Sequence, residues 1–269
     1  MGKSNIQDVK QGSFWRACIG ELLGTLFLVL VGCGSCLDAN SSTVQKALGF
    51  GLSVATMAWI LSNVSGCHIN PAITLPMVVT RKVTIVRGLF YIIAQIAGGV
   101  IGAAILKGLI PSQYHGALGA TGLSPKVTVA QGFGIEFMIT FVLVFTVFAS
   151  CDGKRNDFNG STPLSIGLSI TMCHVFAVPF TGASMNPARS FGPAAVMKSF
   201  PNHWVYWVGP LLGGLVAGLL YDFIFAANAS VEKLKACFTE RDYDNDKFPK
   251  DGVTALNGSP SELKKIETE

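Results

Sequence analysis

An all-α membrane protein of six transmembrane helices and two re-entrant half-helices, arranged as an inverted repeat, is the fold the sequence predicts. Three observations carry that expectation. Apolar stretches of spanning length recur six times, near 15–37, 47–66, 88–107, 131–151, 163–181 and 203–227. The tripeptide Asn-Pro-Ala occurs twice, as Asn70, Pro71 and Ala72 within SGCHINPA and as Asn186, Pro187 and Ala188 within TGASMNPA. When Asn70 is aligned with Asn186 the chain matches itself: Gly51-Leu52-Ser53 falls on Gly167-Leu168-Ser169, Ser65-Gly66 on Thr181-Gly182, and Glu21 one residue from Glu136.

Each stretch is long enough to span, since crossing the hydrocarbon core takes about 20 residues of helix. Each must be helical, because backbone N–H and C=O groups in lipid find partners only within their own segment. Of the 269 residues 13% are charged, and mean hydropathy is +0.48. Soluble domains carry about a quarter charged residues, so a soluble protein is excluded. Away from their edges, the stretches contain only the charges Glu21, Glu136 and Asp222. Residues 1–13 are polar, and no small-residue cleavage site follows the first apolar run, so that helix is expected to be retained.

Two halves follow. Residues 14–110 form a first three-helix repeat with a half-helix near 70–79, and 131–227 a second with a half-helix near 186–198. Residues 111–130 connect them. Three spans per half is an odd number, so the second half enters the membrane from the opposite side and the repeat is inverted. In both motifs Asn takes the N-cap position and Pro the first helical position, the favoured start of a helix. The apolar runs that follow, 73–79 and 189–197, are too short to span. They read as half-helices entering from opposite faces, with N-termini meeting near the midplane. Irregular backbone at that depth is tolerated only where it is buried in protein or lines a watery cavity. The motif is therefore expected twice because one pore is built from both halves.

Basic residues orient the chain. Lys3, Lys10, Arg16, Arg81, Lys82, Arg87, Lys154, Arg155 and the Lys/Arg of the tail fall on one face, and both termini are assigned to the cytoplasm. Segment 111–130 is then extracellular. Residues 228–269, polar and charge-rich, are expected to be a disordered tail, with Ser259 before Pro260 a candidate phosphorylation site. Of five Asn-x-Ser/Thr sequons, at Asn40, Asn63, Asn159, Asn228 and Asn257, only Asn40 lies outside and is a candidate glycan site. The net charge of +4 is mostly topology, with no compact basic surface for a nucleic-acid partner. Cys33-Gly-Ser-Cys36 has metal or redox spacing but no second pair, so small packing residues are expected and no metal or cofactor. Nothing resembles a phosphate loop or a nucleophile triad, which points away from an enzyme. Gly98-Gly99-x-x-Gly102 and Gly213-Gly214-x-x-x-Gly218 place small residues at helix-contact spacing in matching helices.

On the paired motifs, together with FTGASMNPARSFGPAAV and NHWVYWVGP, the chain resembles the aquaporins of the major intrinsic protein family over about residues 14–227, and is similar to their animal water-selective branch. The resemblance implies a passive water channel in the plasma membrane, a homotetramer with one pore per protomer, and no cofactor. It implies a filter of four positions: Phe50 as apolar wall, His174 narrowing the pore and donating to water, Ala183, and Arg189 as a fixed positive charge. Ser190 after Arg189, with Ala194, Tyr206 and Trp207, matches the water-selective pattern. Glu21 and Glu136 are implied to brace the Asn-Pro-Ala loops. Many members carry a mercurial-sensitive Cys where Ala183 stands. The pseudo-symmetric position here is Cys67, which becomes the candidate mercurial site. The competing readings are a facilitator of glycerol, urea or hydrogen peroxide, a junctional or adhesive membrane protein, and a secondary transporter.

Overall fold

A computed structural model describes residues 8–38, 40–155, 157 and 160–248. Lys3, the sequons at Asn159 and Asn257, Ser259 and the tail beyond residue 248 lie outside them. Nine α-helices form among the described residues: α1 Gly12–Gly34, α2 Thr43–Ser65, α3 Pro71–Val79, α4 Ile85–Leu109, α5 Val129–Ser150, α6 Thr162–Thr181, α7 Pro187–Met197, α8 Val205–Leu220 and α9 Val231–Thr239. A π-helical turn, Tyr221–Phe225, continues α8. Six helices are long and apolar enough to cross a membrane, while α3 and α7, with 9 and 11 residues, are not.

The helix ends follow local chemistry. Ser42, Thr84, Thr128 and Ser161 each accept a backbone N–H in the first turn of α2, α4, α5 and α6, satisfying donors that the helix leaves unpaired. Gly66 and Gly182, at φ 86° and 78°, end α2 and α6 in the left-handed conformation and turn the chain back into the protein.

Packing repeats the sequence symmetry. In the first half α1 packs on α4, and in the second α5 on α8; α2 and α6 pack on each other across the halves. Half-helix α3 lies against α8, and α7 against α4, so each half encloses the half-helix of the other. Gly51 and Gly167 sit where α2 crosses α6, and a Cβ on either would press 2.5 Å from the other's carbonyl oxygen. Asp8 binds Thr84 and Arg87 at the start of α4, and Arg81 binds the segment after α9. Both described ends of the chain therefore lie on one face, here the terminal face; residues 111–128 lie on the far face.

The expectation of a disordered tail from residue 228 is corrected for residues 228–248. Ser230 caps α9, its hydroxyl accepting from Lys233 N, and the helix docks by charge. Lys233, 0% exposed, donates to Asp222 O and Asn228 Oδ1, both at 2.9 Å, and pairs with Asp222 Oδ1 at 3.1 Å. Lys82 reaches the same carboxylate oxygen at 2.9 Å. Arg81 donates to the carbonyls of Cys237, Glu240 and Arg241, closing the C-terminal end of α9. Burial lowers the pKa of the Lys233 ammonium against the attraction of Asp222. A polar composition reads as disorder only while the partners of its charges, here at the ends of α3 and α8, are unknown.

Gly51→Val is expected to cost about 1–3 kcal/mol by overpacking the α2–α6 crossing. Gly108→Val, with nothing within 4 Å of its Cβ position, should leave stability nearly unchanged. Thermal unfolding of the detergent-solubilised protein distinguishes them.

Candidate functional site

Asn70 and Asn186 cap the two half-helices and meet in the centre of the protein. Asn70 Oδ1 accepts from Ala72 N at 2.8 Å, and Asn186 Oδ1 from Ala188 N and Arg189 N at 3.0 and 3.2 Å. Each amide then reaches across the pseudo-two-fold axis: Asn70 Nδ2 donates to Met185 O and Asn186 Nδ2 to Ile69 O, both at 2.8 Å. One N–H of each amide is thereby used, and the second remains to offer.

The loops before the asparagines hold an unusual backbone. Cys67, Ile69, Ala183 and Met185 have φ of 51°, 43°, 49° and 52°, a region that costs non-glycine residues about 1–2 kcal/mol each. Two buried carboxylates hold them there. Glu21 accepts from His68 N and Ile69 N at 2.9 and 2.5 Å and from Ser65 Oγ and Gln95 Nε2. Glu136 accepts from Ser184 N and Met185 N, both at 2.9 Å, and from Thr181 Oγ1.

The sequence reading missed the next layer of contacts. Tyr91 donates to Ser65 O at 2.9 Å and Tyr206 to Thr181 O at 3.0 Å; under the internal repeat Tyr91 falls one residue from Tyr206, as Glu21 does from Glu136, a signal that was present. Behind Asn186 runs a hydroxyl chain: Thr121 Oγ1 donates to Ser190 Oγ at 2.9 Å, the hydroxyls of Ser190 and Ser184 lie 2.6 Å apart, and Ser184 donates to Asn186 O. Behind Asn70 the corresponding positions are Thr74 and His68, with Gln95 of α4 as the outer donor. Thr121 comes from the far-face segment, and no spacing in the sequence signals its contact.

These parts surround a cavity of about 210 Å³. Its wall includes Phe50, His174 and Arg189 at one end, Asn70 and Asn186 midway, and Cys151 and Thr162 at the other. A second cavity, of about 260 Å³, opens on the far face between Lys46, His115, Gly119 and Gly182. Arg189 lines both cavities, so the three-residue cluster marks the boundary between them.

The cluster is tightly organised. The rings of Phe50 and His174 stack with centroids 4.5 Å apart, and the Arg189 guanidinium lies 4.4 Å from the Phe50 centroid. Arg189 Nη1 donates to Gly119 O at 2.7 Å. His174 Nδ1 lies 3.0 Å from Ile170 O. A carbonyl only accepts, so Nδ1 carries the proton and Nε2 of the neutral ring is an acceptor. In the neutral tautomer this contact selects, Nε2 would accept from water, whereas the expected donation needs the doubly protonated ring. His174 Nε2 and Arg189 Nε have no hydrogen-bond partner in the protein. Ala183, expected as the fourth filter position, is buried, as Phe50, His174 and Arg189 are, and stands between Gly182 of the far-face cavity and Ser184 of the inner one. Cys67 does line the inner cavity, as does Cys151, whereas Cys36 lines the far-face one.

Six membrane-length helices in an inverted repeat, closed around a narrow lumen with two half-helix N-termini at its centre, define a membrane channel. The family comparison is specific: residues 8–221 match the model of the major intrinsic protein family, and the chain belongs to that family. It is 48% identical over 236 residues to Aquaporin-4 of Mus musculus, covering 85% of this chain and 73% of that one. It is 46% identical over 220 residues to the lens fiber major intrinsic protein of Lithobates pipiens, covering 81% and 84%. Among solved structures, the aquaglyceroporin from Plasmodium falciparum superposes with a TM-score of 0.71 over 78% of this chain and 96% of that one, at 24% identity. That likeness is one of fold.

Thr121→Val removes the outer donor of the hydroxyl chain at a cost of about 1 kcal/mol. It also loosens the segment whose Gly119 carbonyl holds Arg189. Thermal unfolding and glycerol exclusion should both weaken, and Thr121→Ser should restore both.

Proposed function

We propose that the chain is a passive, water-selective channel driven by osmotic gradients that excludes protons and ions, a channel rather than an enzyme. The observation that carries this reading is the cluster of Phe50, His174 and Arg189 between the two cavities. Arg189 offers N–H donors to a water oxygen, and His174 Nε2 accepts a water hydrogen. The Phe50 ring offers neither. Water entering singly thus exchanges its lost hydrogen bonds for one donor and one acceptor set in place beforehand. Glycerol needs a wider passage and an apolar wall for its carbons, and the stacked rings occupy that space. The fixed charge of Arg189 repels cations, in keeping with selectivity set by pore width, lining donors and electrostatic barriers.

Midway, the ends of α3 and α7 each present about half a positive charge. The remaining N–H groups of Asn70 and Asn186 donate to a passing water oxygen. A water accepting from both cannot also accept from its neighbours in the file, so a proton cannot be relayed through it. Pro71, Ala72, Pro187 and Ala188 start the half-helices that aim these groups. Glu21 and Glu136 are structural support and take no part in chemistry.

The same reading includes a homotetramer with one pore per protomer in the plasma membrane, both termini cytoplasmic. An apolar groove between α5 and α6, lined by Ile135, Met138, Phe176 and Phe180, offers a seat for a neighbouring copy. Arg81, Lys82 and Arg87 lie toward the terminal face, as cytoplasmic basic residues do. Asn40, exposed in the link between α1 and α2 on the far face, remains the candidate glycan site.

Stopped-flow light scattering of proteoliposomes tests the selectivity. Fast water flux with glycerol excluded is expected; rapid reswelling in glycerol would overturn the filter assignment. His174→Ala should raise glycerol permeability about tenfold or more, the scale of discrimination that one group-sized change in a binding site supplies. Cys67, on the lumen wall, is the proposed site of mercurial block. Cys67→Ser should abolish inhibition, and persistence of the block would move the site to Cys36 or Cys151.

A further inference from the structure

The faces of α9 divide three ways. At about 100° per residue, Lys233, Ala236 and Cys237 share one sector, which is buried against the protein. Glu232, Lys235 and Thr239 share a second, exposed and polar. Val231, Leu234 and Phe238 share a third, exposed and apolar, with Val231 at 61% and Phe238 at 62%. The three sectors lie about 120° apart. A helix resting on a protein in water needs two faces, one buried and one polar. A third, apolar face implies a third medium.

The position of α9 identifies that medium. Phe238 packs on Phe223, ring centroids 6.0 Å apart, and Phe223 belongs to the last turn of the sixth spanning helix. Its neighbours Ile224 and Phe225, 63% and 61% exposed, end the apolar outer surface of that span. The stripe of α9 therefore continues the lipid-facing belt of the spanning helices at its edge. We propose that α9 is an interfacial helix whose Val231, Leu234 and Phe238 enter the lipid leaflet on the terminal face. Its polar sector faces water, and its buried sector carries Lys233 to Asp222. An amphipathic helix in this position sinks its apolar face about 5–10 Å into the boundary between headgroups and acyl chains. The leaflet thereby supports the element that binds Arg81, the residue two positions beyond the end of α3.

The test uses the full-length channel in phosphatidylcholine vesicles containing a phospholipid with a diazirine on an upper acyl carbon. After photolysis, labelled residues are read by peptide mass spectrometry, with Ile224 and Phe225 as internal lipid-facing references. Adducts at Leu234 and Phe238 are expected at the level of Phe225 and about tenfold above Thr239, given that depth of insertion. Labelling of Phe225 with Leu234 and Phe238 no higher than Thr239 would overturn the proposal and leave the stripe to a soluble partner. Cross-links from Phe238 to a second copy of the chain would also overturn it.

Discussion

Four non-glycine residues, Cys67, Ile69, Ala183 and Met185, adopt the left-handed conformation within two short loops, and their side chains do not favour it. Ile69 is β-branched, the type for which such a φ is most costly. The loops persist because Glu21 and Glu136 each collect two backbone N–H groups, from 68–69 and from 184–185. A buried carboxylate needs several donors, and an irregular loop deep in the protein needs acceptors. The carboxylates and the loops therefore solve one another's problem. The aim of the half-helices, the exchange between Asn70 and Asn186 and the course of the lumen all depend on that match.

Symmetry supplies the centre of the pore, and departures from it supply the rest. The asparagine exchange, the carboxylate supports and the Tyr91 and Tyr206 hydroxyls repeat in both halves. The cluster does not: Phe50 comes from the first half, whereas His174 and Arg189 come from the second. Its Arg189 is held by the carbonyl of Gly119, in the segment joining the halves. Behind Asn186 a chain of hydroxyls ends on that same segment, while behind Asn70 the outer donor is Gln95, inside a helix. The pore is thus anchored to a loop at one end and to the helical frame at the other.

Much of the fold was legible because its determinants are local. Spanning length, the Asn-Pro pair at a helix start and the internal match between Gly51 and Gly167 are properties of short windows. That α2 and α6 cross on those glycines is seen only in the packing. The tail from 228 was misread because its charges looked unpaired, while Asp222, Asn228 and the end of α9 were set to receive Lys233 and Arg81. Thr121 was invisible for the same reason: a lone Thr in a connecting segment gains meaning only from what lies across from it.

The spanning helices, the inverted repeat and the paired half-helices with Asn70 and Asn186 came from the sequence alone, because periodicity, length and motif act over neighbouring positions; Phe50, His174 and Arg189 were singled out only by the resemblance to the family, matched position by position. Tertiary structure decided the rest: that His174 Nδ1 faces Ile170 O, how Gly119 and Thr121 hold the cluster, and where α9 rests. Each of these depends on a hydrogen-bond or contact partner brought close by folding, and the geometry of such a pair is not encoded in either residue's own surroundings along the chain.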